Sequence, residues 1–285
     1  MRRDRQFFAV FAVAATAGLT ACGGTTTGGG PSPDGMLTMR MPAAPTAQVT
    51  RSDTSVVSVE TGVMGTMEMN VENMGTIDLG FADAGGAVQV TATYSEFVGK
   101  MSNPMAGDVN VDESDIGGQL VFTLDDRAHA TVQQGFDVKM EAAQMVGSKT
   151  LAYDLFPRFP RGAMGMGQTW VDTVEVEEAG DFTATTSTIT TYVVQGDTIV
   201  DGRSLVKLNT TSEIALSTIG ENQGMSMSQD LSGTATGWIL WDRAASMTYM
   251  SFTESDMNGM VSVDMAGVPD MSLAVTSRSH TRVTY

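Results

Sequence analysis

Period-two alternation constrains this chain more than any other feature. In SLVKLNTTSEIAL (residues 204–216), Val206, Leu208, Thr210, Ser212, Ile214 and Leu216 share one face, and Lys207, Asn209 and Glu213 take the other. The same beat groups Val88, Val90, Ala92 and Tyr94 in GAVQVTATYSEF, and Leu120, Phe122 and Leu124 in QLVFTL. Further on, SLAVTSRSHTRVTY aligns Leu273, Val275, Val283 and Tyr285. Successive side chains of a strand point to opposite faces, so the pattern specifies strands with one face buried and one in water. That arrangement belongs to antiparallel sheets, because parallel sheets bury both faces. Gly-Gly, Gly-Asp, Asn-Gly and Asp-Gly pairs recur between the runs as turn signals. An all-β, predominantly antiparallel fold is expected.

One stretch breaks the pattern. In EAAQMVGSKTLAYDLFPRFP (141–160), Ser148 is placed to cap a short helix over Lys149–Phe156, which Pro157 ends, and an earlier helical turn is expected near Lys139–Met145. This helical connector (141–165) divides a first β-meander (48–140) from a second (166–285). The two halves share local sequence. TLDDRAHAT (123–131) and ILWDRAASM (239–247) match at an offset of 116 through Leu124/Leu240, Asp126/Asp242, Arg127/Arg243 and Ala128/Ala244. VTATYSEF and LNTTSEI share Ser-Glu before an apolar residue at an offset of 117. A duplication would give two similar meanders curving around a shared interior, as a curved sheet or half-barrel. Convergent strand-and-turn composition, in a chain with few residue types, is the alternative.

Ahead of the strands, Arg2, Arg3 and Arg5 precede a short apolar run, Phe7–Ala17, and then small residues. That is the layout of an export signal. About a dozen apolar residues are too few to cross a bilayer core of roughly 30 Å as a helix. Leu19-Thr20-Ala21-Cys22 resembles the lipobox of bacterial lipoproteins. The resemblance implies that residues 1–21 are a signal peptide, cut before Cys22, and that Cys22 is lipidated. Two or more acyl chains hold a protein firmly at a membrane, each buried methylene contributing about 0.8 kcal/mol. Gly23, where retention at the inner membrane calls for Asp, implies the outer membrane by resemblance to the same sorting pattern. Residues 22–47 are rich in Gly, Thr, Pro, Ala and Ser and read as a flexible tether.

Composition narrows the partners. The formal charge of −17 over 285 residues becomes more negative once the three signal-peptide arginines are removed. Such acidity disfavours nucleic acid and charge-driven adsorption to anionic lipid. With Cys22 the only cysteine, no internal disulfide forms.

Catalytic patterns are missing from the sequence. Two histidines, His129 and His280, stand without a Gly-x-Ser-x-Gly elbow, and His129 aligns with Ala245 in the proposed repeat. There is no His-Glu-x-x-His, and no Gly-rich loop leads into a Lys-Ser/Thr pair. GDVNVDESDIGG (107–118) spaces Asp108, Asn110 and Asp112 as an EF-hand begins. It then puts Glu113 where Gly is needed and Gln119 where a bidentate Glu is needed, so a solvated acidic loop is expected. The 22 methionines include the pairs Met39/Met41, Met67/Met69, Met164/Met166 and Met225/Met227. Thioethers suit Cu(I), but no His or Cys lies near the pairs, and methionine also fills apolar cavities adaptably. Of the tryptophans, Trp238 and Leu240 share a face and Trp241 takes the other, which puts one in the core and makes the outward one a rim contact or a covered edge.

RFPRGAMGMGQTWVDTVEV, TTYVVQGDTIVDGRSLVKL and SGTATGWILWDRAASMTYM together resemble an uncharacterised family of bacterial lipoproteins. Its marks are a Gly-x-x-Trp entry strand, a hairpin bounded here by Gly196-Asp197 and Asp201-Gly202, and a Gly237–Asp242 turn strand. In broad architecture such proteins are similar to the half-barrel carriers and receptors of the outer-membrane lipoprotein-sorting pathway. The resemblance implies a bent sheet with a helix across its open side and a pocket for acyl chains. The expectation is a non-enzymatic envelope lipoprotein, with no catalytic residue, cofactor or metal. It would face the periplasm or the cell surface and carry a lipid or other hydrophobic ligand. The alternative is a structural or protein-interaction module of the envelope, which a filled interior would favour.

Overall fold

The structure is a computed structural model that describes residues 37–61, 65–104, 107–139, 142–179, 182–222, 225–264 and 269–285. Long strands dominate it, as Thr- and Val-rich alternating runs favour. In chain order they are β1 (Thr46–Thr61), β2 (Gly65–Asp83), β3 (Val88–Ser102), β4 (Val109–Asp112), β5 (Ile116–Gly117), β6 (Leu120–Leu124), β7 (Ala130–Gln134) and β8 (Asp137–Val138). After the connector come β9 (Thr169–Ala179), β10 (Phe182–Val200), β11 (Arg203–Asn222), β12 (Met225–Asp242), β13 (Met247–Val263) and β14 (Met271–Thr284).

Twelve of these form one antiparallel sheet in the order β7-β6-β3-β2-β1-β14-β13-β12-β11-β10-β9, with β4 also on β3. The expected meanders are thus parts of one sheet, spliced where β1 pairs β14 from Gln48↔Thr284 to Glu60↔Ser272. The sheet does not close: β7 and β9 are its edges. It curves on itself, because the apolar cluster on β1, β2 and β11–β14 is buried although it includes no residue of the connector or of a second sheet among the described residues. The fold is therefore the expected all-β, antiparallel curved sheet.

Bulges adjust the faces. The β2–β3 register slips between Thr76 and Ile77, after which Phe97 and Met101 take over the inward positions from Val90 and Ala92. A second slip, opposite Leu240 and Trp241, leaves Tyr249 of β13 as the extra residue; Trp241 is fully buried inside, while Leu240 and Trp238 join a small outer cluster with Leu205 and Tyr249. The β10–β11 hairpin turns on Asp201 (φ 50°) and Gly202 (φ 76°), the left-handed pair of a type I′ turn.

The connector departs from expectation in length. Its helix, α1, spans only Leu151–Asp154, with Thr150 before it and no side-chain cap. Ser148 does not cap because its carbonyl accepts from Phe136 N–H, and Lys149 N–H is taken by Glu178 Oε1 at 3.0 Å. The earlier turn is a 3-10 segment at Ala142–Gln144. The expected tether also ends sooner, since Leu37 and Met39 are already buried in the core.

Inside the curve lie two apolar clusters. One gathers Leu120, Phe122, Leu208 and Trp241 under the connector's Leu151, Leu155, Phe156 and Phe159. The other gathers Val57, Val59, Ile214, Leu231, Met257 and Leu273 further along the strands. Between them runs a belt of small side chains, all but Ala235 bearing hydroxyls. Thr190, Ser212, Ala235, Ser255, Ser277 and Ser55 are successive partners across six strands. Hydroxyls satisfy one another within it: Thr190 Oγ1 and Ser212 Oγ lie 2.9 Å apart, and Ser255 and Ser277 2.6 Å apart. Buried polar groups must find partners of this kind.

Candidate functional site

Arg51 and Asp53 stand on the inner face of β1, at positions the alternation assigns inward: Val49 precedes them, and Ser55, Val57 and Val59 follow. Arg51 Nε donates to both carboxylate oxygens of Asp53, at 3.0 and 2.9 Å, and Arg51 Nη1 donates to Asp154 Oδ2 of α1 at 2.8 Å. All three side chains are nearly buried. Burial opposes the guanidinium charge, but Asp53 and Asp154 outweigh it and hold Arg51 above its ordinary range. Asp154 is pushed up from the usual carboxylate value by burial, with Arg51 opposing and Asp53 adding to the shift. The Tyr94 phenol is likewise driven up, chiefly by burial. A cavity of about 20 Å³ adjoins the triad, bordered by Asn73, Tyr94, Met145 and Thr150 as well as Arg51 and Asp53, and has room for about one water molecule.

The chemistry this offers is attachment. The sheet grips the connector through a series of side chains, of which Arg51 is the one that brings a buried charge. Asn73 Nδ2 donates to the Met145 carbonyl at 3.2 Å, and Thr248 Oγ1 to that of Leu155 at 2.8 Å. Arg127 Nε donates to the Phe159 carbonyl at 3.0 Å, and Trp170 Nε1 to that of Arg158 at 2.8 Å. Trp170 also stacks on Tyr192 with rings 4.7 Å apart. The cradle thereby holds the connector against the inner face.

A second polar group decorates the hairpin end of the sheet. Tyr285 Oη donates to Asp242 Oδ2 at 2.8 Å, and Arg203 lies over the Tyr285 ring at 4.5 Å. Tyr249 donates to Asp201, which also receives Arg282 Nη2 at 3.2 Å. Asp242 Oδ1 accepts from Ala244 N–H and Ala245 N–H, closing the β12–β13 turn. In the β6–β7 turn that role falls to Asp125, which accepts from Arg127 N–H and His129 N–H. The shared Asp-Arg-Ala tripeptide therefore sits on both hairpins, but the turn-closing carboxylates are Asp125 and Asp242, one step off the sequence alignment.

The other sequence candidates scatter. Cys22 lies outside the described residues. His129 pairs with Asp125 at 3.5 Å, while exposed His280 rests against Phe252 with rings 4.5 Å apart. The acidic loop satisfies itself: Asp112 Oδ1 accepts from Ser114 N–H, Asp115 Oδ2 from Asp112 N–H, and Lys139 Nζ reaches Asp115. Among the described residues no group of three His, Cys, Asp or Glu side chains gathers as metal ligands would. The methionine pairs also part company, Met39 being buried and Met41 exposed, and Met69 lying in the far cluster. The Arg51 triad escaped the sequence reading, although an Arg and an Asp at inward positions of an alternating strand were a usable signal.

No family model matches the sequence, and no curated protein matches it. Among solved structures the chain is similar to Neisserial surface protein A, at 7% identity and a TM-score of 0.24 over 83% of this chain and 97% of that one. It is similar to DynF from the dynemicin biosynthesis pathway of Micromonospora chersina, at 10% identity and a TM-score of 0.24 over 94% and 95% of the two chains. It is also similar to an outer membrane channel from Pseudomonas putida F1, at 10% identity and a TM-score of 0.30 over 86% and 97%. Agreement this loose defines neither a family nor a site for this chain.

Proposed function

We propose that the chain is a non-enzymatic module of the bacterial envelope, held at the outer membrane through lipidated Cys22, whose curved sheet serves as a filled body and works through its outer surface on a protein partner. One observation carries this reading: the polarity of the sheet. Its inner face is filled by two apolar clusters and the hydroxyl belt, while its outer face carries Glu60, Glu68, Glu72, Glu213, Glu254 and Arg278. A membrane-spanning barrel needs the reverse, with an apolar band outside, and Arg or Lys facing lipid at mid-bilayer costs about 2–4 kcal/mol each. Water therefore suits this outer face, and attachment falls to the lipid anchor.

Carriage of a lipid inside the curve fits less well, because the connector already occupies the inner face and the cavity beside Arg51 takes about one water molecule. Native mass spectrometry of the Cys22→Ser chain without its signal peptide separates the two readings. A bare protein mass, with no uptake of fluorescent acyl probes, is expected. A copurifying acyl ligand would restore the carrier reading. Crosslinking in cells then looks for a reproducible envelope protein partner, and its failure to find one counts against the module.

A further inference from the structure

The charges of the long strands are sorted along their length. On β1, β2 and β9–β14, beyond the row that joins Ser55, Ser277, Ser255 and Ser212, the described residues include no Lys or Arg. That half carries Glu60, Glu68, Glu175, Glu213, Asp230 and Asp256 among its carboxylates. The opposite end differs. There Arg243 pairs with Asp197 at 2.8 Å, Arg203 with Asp242 at 3.4 Å and Arg282 with Asp201 at 3.2 Å, so the charges balance. Arg40 and Arg161 add exposed cations at that end.

The described chain enters at this balanced end. Leu37 and Met39 are buried there, Met39 N–H donates to the Asp126 carbonyl of the β6–β7 turn, and β1 starts opposite Thr284 and Gly80. The same end exposes apolar side chains: Ile199 of the β10–β11 hairpin tip is 77% exposed and Met166 of the connector 59%. Ile219 and Met260 are exposed at the acidic end, but Met260 is paired with Asp230 and Ile219 lies two residues from Glu221, company that an anionic surface repels.

Resting on the lipid-anchor reading above, we propose that the balanced end is the membrane-facing pole: the Ile199 hairpin tip, Met166, Arg203 and Arg282 lie against the headgroups of the bilayer, and the acidic end points away from it. Chain length enforces the same orientation. About 15 residues join Cys22 to Leu37, a reach of at most about 50 Å when fully stretched. The 16-residue β1 is itself about 50 Å long, so the acidic end could meet the membrane only if that segment ran back along the whole sheet fully extended. Charge opposes that arrangement too, since an anionic leaflet repels the carboxylates and tolerates the balanced end.

The test uses the full lipidated chain in vesicles of phosphatidylethanolamine and phosphatidylglycerol. Acylation occupies the Cys22 thiol, so an Ile199→Cys or Asp230→Cys substitution supplies the only site for a fluorophore. Spin-labelled headgroup lipid is expected to quench the label at position 199 and not at position 230. Raising salt is expected to narrow that difference by screening the acidic end. Equal quenching at both positions, quenching at neither, or stronger quenching at 230 overturns the orientation while leaving the anchor intact. Failure of the chain to sediment with the vesicles at all overturns the anchor reading, and the orientation with it.

Discussion

Replacing Arg51 with Met leaves Asp53 and Asp154 facing each other in a nearly dry interior with no cation between them. Three hydrogen bonds to carboxylate oxygens vanish at once. Removing one partner of a buried ion pair costs about 3–5 kcal/mol, mostly because the other charge stays buried and uncompensated. In a protein of this size each kcal/mol lowers Tm by about 2–4 °C, so the expected fall is about 6–20 °C. The assay is thermal and urea unfolding of the Cys22→Ser chain followed by circular dichroism. Two accompanying measurements show whether the cause is electrostatic. The triple variant Arg51→Met, Asp53→Leu, Asp154→Leu should recover most of the loss, because replacing a whole buried ionic group with apolar side chains is often neutral or stabilising. The single variant should also lose less stability at pH 4 than at pH 7, because the stranded Asp154 carboxyl, which burial already pushes up, takes a proton more readily there. A loss under about 1 kcal/mol, the size of an exposed ion pair, would refute the reasoning. So would a triple variant no more stable than the single one.

Three further outcomes follow from the same packing. The folded chain holds the Asp154 proton more tightly than the unfolded chain, so this group makes stability fall as pH rises from the ordinary carboxylate pKa through its raised value, and flat above that. Urea titrations of Asp154→Asn from pH 4 to pH 7 should show a shallower decline than the parent. Trp241→Ala empties a fully buried site against Phe159, whose ring lies 4.9 Å away, and should cost about 3–5 kcal/mol by urea unfolding. Gly259→Ala drives a Cβ into the backbone carbonyl of Asp230 and should cost about 3 kcal/mol or more, seen as a loss of folded yield or a lower Tm.

Much of this architecture is legible in the sequence because the strands are half-buried. The six residues from Val206 to Leu216 assigned to one face all prove buried, and Leu120, Phe122 and Leu124 do too. The Asp201-Gly202 turn was readable because only a type I′ hairpin calls for left-handed backbone at both central residues. The β1–β14 pairing was not readable, since nothing local ties residue 48 to residue 284. The helix was overestimated because Phe136 and Glu178, both distant in sequence, claim the backbone groups that the first helical turn would have used. The triad was missed for a similar reason: Arg51 and Asp53 were visible as inward charges, but their partner Asp154 arrives from a connector 103 residues away.

Extraction of membranes from cells expressing the wild-type chain or Cys22→Ser tests whether a filled, water-facing body is held at the membrane only by its acylated cysteine. The wild-type chain should remain with the outer-membrane fraction through alkaline carbonate and leave it only with detergent. The serine variant should appear folded in the soluble fraction. A Cys22→Ser chain that stays in the membrane through alkaline extraction would contradict the account, because the sheet itself would then be embedded in lipid.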